Sequence, residues 1–181
     1  GSYNVLQGYK AGLNATTASN TVAIGNTAIG LGILTGDDNV AIGRLAGNDL
    51  TSGTYNFIGG YAAGSNATTA NNTVAIGNAA IGSGVLTGDD NVAIGRLAGN
   101  DLTSGATNVA VGYAAGSNAT TANNTVAIGN AAIGSGVLTG DDNVAIGRLA
   151  GNDLTSGATN VAVGYAAGSN ATTANNTVAI G

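Results

Sequence analysis

The chain of 181 residues contains no cysteine, histidine, proline, methionine, tryptophan or glutamate, and only seven aromatic residues. Without cysteine there is neither a disulfide framework nor a thiolate metal site, and without histidine the commonest general base and metal ligand is missing. No nucleophile and base are predicted to come within reach of each other. We therefore predict a protein that is not an enzyme, with no catalytic residue, no cofactor and no metal ion.

Positive charge is also scarce, with four lysine and arginine residues against nine aspartates and a net charge of −5. The three arginines, Arg44, Arg96 and Arg148, lie 52 residues apart, whereas a surface that follows a phosphate backbone needs clustered cations. No apolar run approaches the roughly 20 residues of a membrane span. The sequence predicts neither a nucleic-acid partner nor a membrane span.

What the chain does contain is one unit repeated. Residues 66–117 and 118–169 are identical over all 52 positions, and residues 14–65 match them at 43 of 52. Partial units stand at both ends, so residues 3–181 are predicted to form a single repeat domain. Gly1 and Ser2, without a methionine, are interpreted as a remnant of cloning. Two identical copies indicate recent duplication or deliberate design.

A shorter period lies inside the unit. The apolar tetrads each close on a glycine, and these anchor glycines follow one another at a nearly constant spacing: Gly8, Gly25, Gly43, Gly60, Gly77, Gly95, Gly112, Gly129, Gly147, Gly164 and Gly181. Every third interval is longer than the other two by a single position. A spacing this regular predicts about ten stacked structural turns.

Each turn carries a tetrad such as Val40-Ala41-Ile42-Gly43, in which β-branched residues alternate with alanine. This alternation is typical of a strand, and glycines every four or five residues argue against helix throughout. A single turn with two short strands cannot bury its own apolar face, but stacked copies can. We predict an all-β, parallel β-solenoid of about ten turns, each of about 17–18 residues.

The alternation of β-branched residues with alanine also divides each strand into two faces. We expect valine and isoleucine to fill the interior and the alanines to form an outer, close-packing column. Such a column on a flat sheet favours burial against other copies of the chain, which predicts a homo-oligomer. The predicted oligomer contacts are Ala23, Ala41, Ala75, Ala93, Ala110, Ala127, Ala145 and Ala162.

Two further columns run along the predicted stack. Asparagines at the strand starts are expected to form amide ladders along the axis, and they include Asn39, Asn56, Asn72, Asn91 and Asn108. The residues after the anchor glycines should place arginine beside tyrosine at one strand spacing, within cation–π reach. Either a glycan-binding ridge or a stabilising ladder fits this second column, whose key members are Tyr61, Arg96, Tyr113, Arg148 and Tyr165.

The acidic residues occur partly as pairs, Asp37-Asp38, Asp89-Asp90 and Asp141-Asp142. Adjacent side chains diverge before a strand, and the pairs recur only every third turn, about 14 Å apart at the strand spacing. This separation excludes a paired-carboxylate catalytic site within one chain. Solvated turns are favoured over calcium loops, because no Asp-x-Asp-x-Asp-Gly pattern occurs.

The repeated Asn-(Thr)-Val-Ala-Ile-Gly motif, on a chain rich in glycine and alanine, resembles the head-domain repeats of trimeric autotransporter adhesins. The variant that runs from Leu34 to Gly43 is similar to the related repeats of phage tail fibres. The resemblance implies a left-handed β-roll, three chains around one axis, and an extracellular place on a bacterial surface or a virion fibre. The turns of this chain are longer than those of the adhesin heads.

The leading hypothesis is therefore a structural and adhesive module, a rigid trimeric rod whose partners are itself and a host-surface glycan or protein. One alternative is an engineered repeat scaffold without a natural ligand, which the identical units favour. Another is an ice- or glycan-binding solenoid, suggested by threonine-bearing turns such as Thr120-Thr121.

Overall fold

The computed structural model describes residues 1–181 and contains eleven strands, each three residues long. They are β1 (Val5–Gln7), β2 (Val22–Ile24), β3 (Val40–Ile42), β4 (Phe57–Gly59), β5 (Val74–Ile76), β6 (Val92–Ile94), β7 (Val109–Val111), β8 (Val126–Ile128), β9 (Val144–Ile146), β10 (Val161–Val163) and β11 (Val178–Ile180). Each strand pairs with the next along the chain, so the eleven form one sheet in sequence order.

All neighbouring strands are parallel and stack residue on residue. Val40 pairs with Phe57 and Ala41 with Ile58, and the same register holds from β1 to β11. A parallel sheet in which each strand follows the previous one after a single short turn of the chain is a solenoid. The predicted all-β parallel β-solenoid of about ten turns, without helix, is thus confirmed.

The expectation of two short strands in every turn was wrong. Each turn has one strand, and the only other pairings are isolated bridges that join Ala15 to Leu34, Ala67 to Leu86 and Ala119 to Leu138. The rest of each turn forms tight corners, in which many side-chain-bearing residues have a positive φ. These corners break the extended conformation before a second strand can form.

The anchor glycines have a steric role at the end of each strand. Gly43 has a φ of 136°, and a Cβ atom built on it would lie 2.4 Å from the carbonyl oxygen of Gly60 in the next turn. The same contact recurs along the column, where the backbones of successive turns approach each other closely. Only glycine fits there, which explains the regular spacing found in the sequence.

A backbone bulge explains why every third turn is longer than its neighbours. The N–H groups of Leu31 and Gly32 both donate to the carbonyl oxygen of Asn48, at 3.0 Å each. The same pair of bonds occurs at Ser83 and Gly84 and again at Ser135 and Gly136. The N–H of Leu31 bonds 17 positions ahead and that of Thr35 bonds 16 positions ahead, to Thr51, so the pairing takes up the extra residue at this shared acceptor. The longer turn therefore takes up its additional residue far from the strand and leaves the strand column in register.

The alanine column lies inside the solenoid, which corrects the predicted assignment of the strand faces. The side chains predicted as oligomer contacts are between 0 and 6% exposed: Ala23, Ala41, Ala75, Ala93, Ala110, Ala127, Ala145 and Ala162. They cannot touch another copy of the chain. The space behind the strand is narrow, so it accepts methyl groups, while valine and isoleucine face outward.

The larger buried side chains come almost entirely from the turns. Leucine and isoleucine residues of the corners point into the interior and are at most 3% exposed: Ile29, Leu34, Leu50, Ile81, Leu86, Leu102, Ile133, Leu138 and Leu154. Among the strands, only Ile58 of β4 adds a large buried side chain. The core is thus a thin column of methyl groups closed by aliphatic side chains from the corners. No helix in the structure is long and apolar enough to cross a membrane.

Candidate functional site

The most extensive exposed feature is the outer strand face, which consists of the first and third residues of each strand. Its isoleucines Ile42, Ile76, Ile94, Ile128 and Ile146 are between 37 and 43% exposed, and most of the valines are half-buried. Beyond Gln7 and Gly59, every residue of this face is apolar. The outer strand face is therefore a continuous apolar stripe on one side of the rod.

The dimensions of this stripe follow from strand geometry. Eleven parallel strands span about 50 Å along the rod, and the first and third residues of a strand lie about 7 Å apart. With side chains included, the stripe covers on the order of 500 Å², near the upper end of the apolar patches found on monomeric proteins. A patch of this size and shape is typical of a surface that binds another protein.

Next to the outer strand face runs the post-glycine ridge, formed by the residue that follows each anchor glycine. All its members are exposed: Tyr9, Asn26, Arg44, Tyr61, Asn78, Arg96, Tyr113, Asn130, Arg148 and Tyr165. The guanidinium carbon of Arg44 lies 5.5 Å from the centre of the Tyr61 ring. Arg96 and Tyr113 repeat this distance, as do Arg148 and Tyr165. The predicted stacking of arginine on tyrosine is present, within cation–π range.

One contact of the ridge was missed from the sequence. The Nζ atom of Lys10 lies 5.3 Å from the centre of the Tyr9 ring, although Lys10 is a direct neighbour of Tyr9 and does not belong to the ridge. Lys10 has a φ of 54°, and no residue pattern indicates that conformation. Every tyrosine of the ridge thus has a cation over its ring.

Buried asparagines stand directly before six of the strands, at positions 39, 56, 91, 108, 143 and 160. The Oδ1 atom of Asn39 accepts hydrogen bonds from the backbone N–H and the Nδ2 group of Asn56, at 3.1 and 3.0 Å, and Asn39 donates to the Gly53 carbonyl at 2.8 Å. In the next turn, Asn56 Oδ1 accepts from the backbone N–H of Thr73 at 2.9 Å. The ladder ends there, because the Thr73 hydroxyl donates to the Asn71 carbonyl of its own turn at 3.2 Å, and the predicted member Asn72 lies one residue earlier and is exposed.

The aspartate pairs separate into two roles. The first members, Asp37, Asp89 and Asp141, accept the backbone N–H of a residue in the preceding turn, at 2.6 to 2.8 Å. The second members, Asp38, Asp90 and Asp142, lie at the strand start with positive φ and face solvent at least in part. Adjacent carboxylates therefore diverge, as expected. No group of three or more potential metal ligands forms in the structure.

The interior offers no room for a ligand. Its cavity, beside Ala110, has a volume of about 10 Å³ and is lined mainly by alanine, valine and glycine. This is about the space of one water molecule. Any binding function must therefore use the outer surface.

In comparisons with known proteins, no family model matches the chain, and neither does any curated protein or any solved structure. The outer strand face and the post-glycine ridge remain the two surfaces from which a function can be built.

Proposed function

We propose that the chain is a structural and adhesive module that forms a rigid homotrimeric rod outside a bacterial cell or on a phage fibre. The observation that carries the proposal is the apolar outer strand face, which runs the full length of the solenoid. The trimer, the left-handed coil and the extracellular location follow from the resemblance of the repeat motif to adhesin heads and phage fibres.

Burial of the outer strand face supports self-association. Isoleucines that are 37 to 43% exposed recur along the rod, so every turn gains when this face is removed from water. With its flanking columns, from position 38 to position 44 in one turn, the stripe is at most about 20 Å wide and covers at most about 1,000 Å² per chain. A trimer divides this area between two neighbouring chains, so each pairwise contact is smaller than the roughly 800 Å² per partner of a standard interface, and the assembly depends on all three contacts together.

Light scattering tests this assembly directly. The wild-type chain should have three times its monomer mass of 17.1 kDa. The double variant Ile94→Lys and Ile128→Lys should dissociate, because it places two charges at the centre of the apolar stripe. The matched control is Val85→Lys with Val137→Lys, at exposed residues of the turns outside this face, and it should remain trimeric. A monomeric wild-type protein would contradict the proposed rod.

A second candidate function is glycan binding by the post-glycine ridge. Exposed tyrosine faces beside arginine and asparagine offer the stacking and the hydrogen-bond donors that sugar rings need, and Tyr113 is 46% exposed. Binding to a glycan array should be lost in the double variant Tyr113→Ala and Tyr165→Ala. If binding were unchanged, the ridge would not bind glycans, and its arginine–tyrosine contacts would only stabilise the stack.

Two alternatives remain. An engineered scaffold would have no natural ligand, and an ice-binding solenoid would bind through a surface of threonine side chains. An engineered scaffold, favoured by the identical units 66–117 and 118–169, should bind neither cells nor glycans as a folded rod. An ice-binding solenoid should show thermal hysteresis. Thr121 is exposed but Thr120 is only half-exposed, so the pair does not form a flat double row of hydroxyls.

A further inference from the structure

Charges of opposite sign flank the outer strand face in the same turns. The acidic edge consists of Asp38, Asp90 and Asp142, each two residues before a strand. The basic edge consists of Arg44, Arg96 and Arg148, each two residues after the same strands β3, β6 and β9. Each of these turns therefore carries a negative and a positive charge on opposite sides of one apolar stripe.

The two edges cannot neutralise each other within one chain. Asp38 and Arg44 lie beyond opposite ends of β3, with the whole strand between them, so that the two charges stand on opposite sides of the stripe. The arginines stack on tyrosine rings and form no ion pair in the chain. Of the acidic edge, Asp142 accepts one hydrogen bond, from the Nδ2 group of Asn124 at 3.1 Å. Both rows of charge are thus available to a second molecule.

Symmetry determines which edges meet when copies pack through this face. If rods run parallel around a common axis, rotation brings the basic edge of one copy against the acidic edge of the next. If two rods pack antiparallel, like edges meet, and aspartate faces aspartate while arginine faces arginine. Like charges brought together oppose association, so the charge pattern favours the parallel arrangement.

We propose that the acidic edge of one copy pairs with the basic edge of its neighbour, and that these contacts set parallel orientation and turn-for-turn register in the homo-oligomer. This inference rests on the self-association proposed above and adds residues that specify it. The apolar stripe alone repeats in every turn, so a slip by one turn uncovers only one turn at each end.

The periodicity of the charges makes the register specific. Charged turns recur every third turn, about 14 Å apart along the rod. A slip by one or two turns would place each arginine opposite an uncharged turn. A slip by three turns would restore the charge pairs but would leave three turns of the apolar stripe uncovered at each end. The in-register arrangement alone satisfies both the charges and the apolar stripe.

Spin labels on single cysteines test the orientation of the copies in the full chain, which has no native cysteine to interfere. Asn26→Cys, Asn78→Cys and Asn130→Cys label exposed ridge positions in three turns of one kind. Parallel copies in register should give the same inter-chain distance at all three positions. Antiparallel copies should give distances that differ by roughly 10 to 30 Å between positions, and this result would overturn the inference.

Charge variants test whether the edges are responsible. The triple variant Asp38→Asn, Asp90→Asn and Asp142→Asn should weaken association about tenfold, because exposed ion pairs each contribute little and three act together. Asparagine tolerates the positive φ of these positions. The matched control, Asp49→Asn, Asp101→Asn and Asp153→Asn, removes the same charge elsewhere. Equal weakening in both would show only an effect of net charge and would overturn the inference.

A swap of the two edges gives a second, positive test. The swapped chain carries Asp38→Arg, Asp90→Arg, Asp142→Arg, Arg44→Asp, Arg96→Asp and Arg148→Asp, and it should assemble with itself and exclude the wild-type chain. Free mixing of the two chains, measured by native mass spectrometry, would contradict edge pairing. A monomeric wild-type protein would refute the self-association itself, whereas an antiparallel or freely mixing oligomer would refute only the edge pairing.

Discussion

The first full unit and the two later ones share one backbone but pack it differently. Five of the nine differences between residues 14–65 and 66–117 fall within residues 54–59, around strand β4. Strand β4 is Phe57-Ile58-Gly59, whereas β7 is Val109-Ala110-Val111. The same solenoid turn therefore accepts two sets of side chains, and the difference lies both in the interior and on the outer strand face.

In the interior, the first unit is better filled. Ile58 is 1% exposed and lies beside two glycines, so that a Cβ atom on Gly47 or Gly64 would come within 3.2 or 3.1 Å of its Cδ1 atom. At the same place in the second unit, the smaller Ala110 leaves the cavity of about 10 Å³. The alanine column is thus not a strict requirement. At this one position of the unit the interior accepts isoleucine as well as alanine.

On the outer strand face, the two units distribute side-chain volume differently between the first and third residues of the strand. Phe57 is large and 44% exposed, and Gly59 has no side chain, whereas Val109 and Val111 are of equal size. The apolar stripe is continuous in both cases. The comparison shows that the fold determines which strand face is apolar. It does not determine how large each side chain on that face is.

The largest expected effect concerns a feature that both units share, the buried asparagine ladder. Asn39→Ala and Asn91→Ala should each destabilise the chain by about 4 kcal/mol, because each leaves several buried carbonyl and N–H groups unsatisfied. Urea unfolding of the two variants should give the same loss. Asn78→Ala, at an exposed ridge position, is the control and should stay within about 0.5 kcal/mol. A clear difference between the two ladder variants would show that the units are not equivalent here.

A smaller loss is expected when the first unit is made like the later ones. Ile58→Ala should destabilise by about 3 kcal/mol, through lost burial and an unfilled cavity. Ile58→Val, which removes one methylene group, should lose about 1 kcal/mol. Denaturant midpoints measure both. If Ile58→Ala had no effect, the side chain would not be contributing the packing that distinguishes the first unit.

The reverse change should stabilise the second unit. Ala110→Ile is expected to gain about 1–2 kcal/mol, since the residues around it match those around Ile58 and each buried methylene group contributes about 0.8 kcal/mol. Ala145→Ile is the matched control at a buried alanine without a cavity, and overpacking should destabilise it by about 1–3 kcal/mol. Thermal unfolding distinguishes the two outcomes, and a destabilised Ala110→Ile would mean that the cavity is not open to a larger side chain.

The smallest effect is expected at the ridge. Arg44→Ala and Arg96→Ala should each lose less than about 1 kcal/mol, because exposed cation–π contacts are weak. A double-mutant cycle with Tyr61→Ala or Tyr113→Ala isolates the pair energy, which should agree between the units because both distances are 5.5 Å. A coupling energy of zero in both units would remove the stabilising role and favour a binding role for the ridge.

The repeat made the solenoid and its number of turns predictable, but the strand faces were assigned the wrong way round. Asn39 and Ala41 lie two residues apart on one strand and so share a face. A buried asparagine ladder therefore requires buried alanines and outward valines and isoleucines. The predicted ladder was not assigned to either face, and its burial at Asn39 is what places the alanines inside.

The corner conformations could not be predicted from residue type. Glycine adopts positive φ readily, yet positive φ also occurs here at many residues with side chains, including the β-branched Ile29, Ile81 and Ile133. Such residues disfavour this conformation on their own, so neighbouring turns must impose it through packing and backbone hydrogen bonds. The local sequence holds no signal for a conformation that the stack determines.

The bulge at Leu31 and Gly32, and its repeats in the later units, show that the length of a turn can change without a change in the strands. An added residue there lengthens one corner, while the strands on either side stay paired in register. Extra residues inserted at the equivalent Ser83 or Ser135 should extend the exposed corner in the same way, without disturbing either the interior or the outer strand face. The solenoid can therefore acquire new surface segments at these corners, at intervals of about 14 Å along the rod, while its strand column keeps its register.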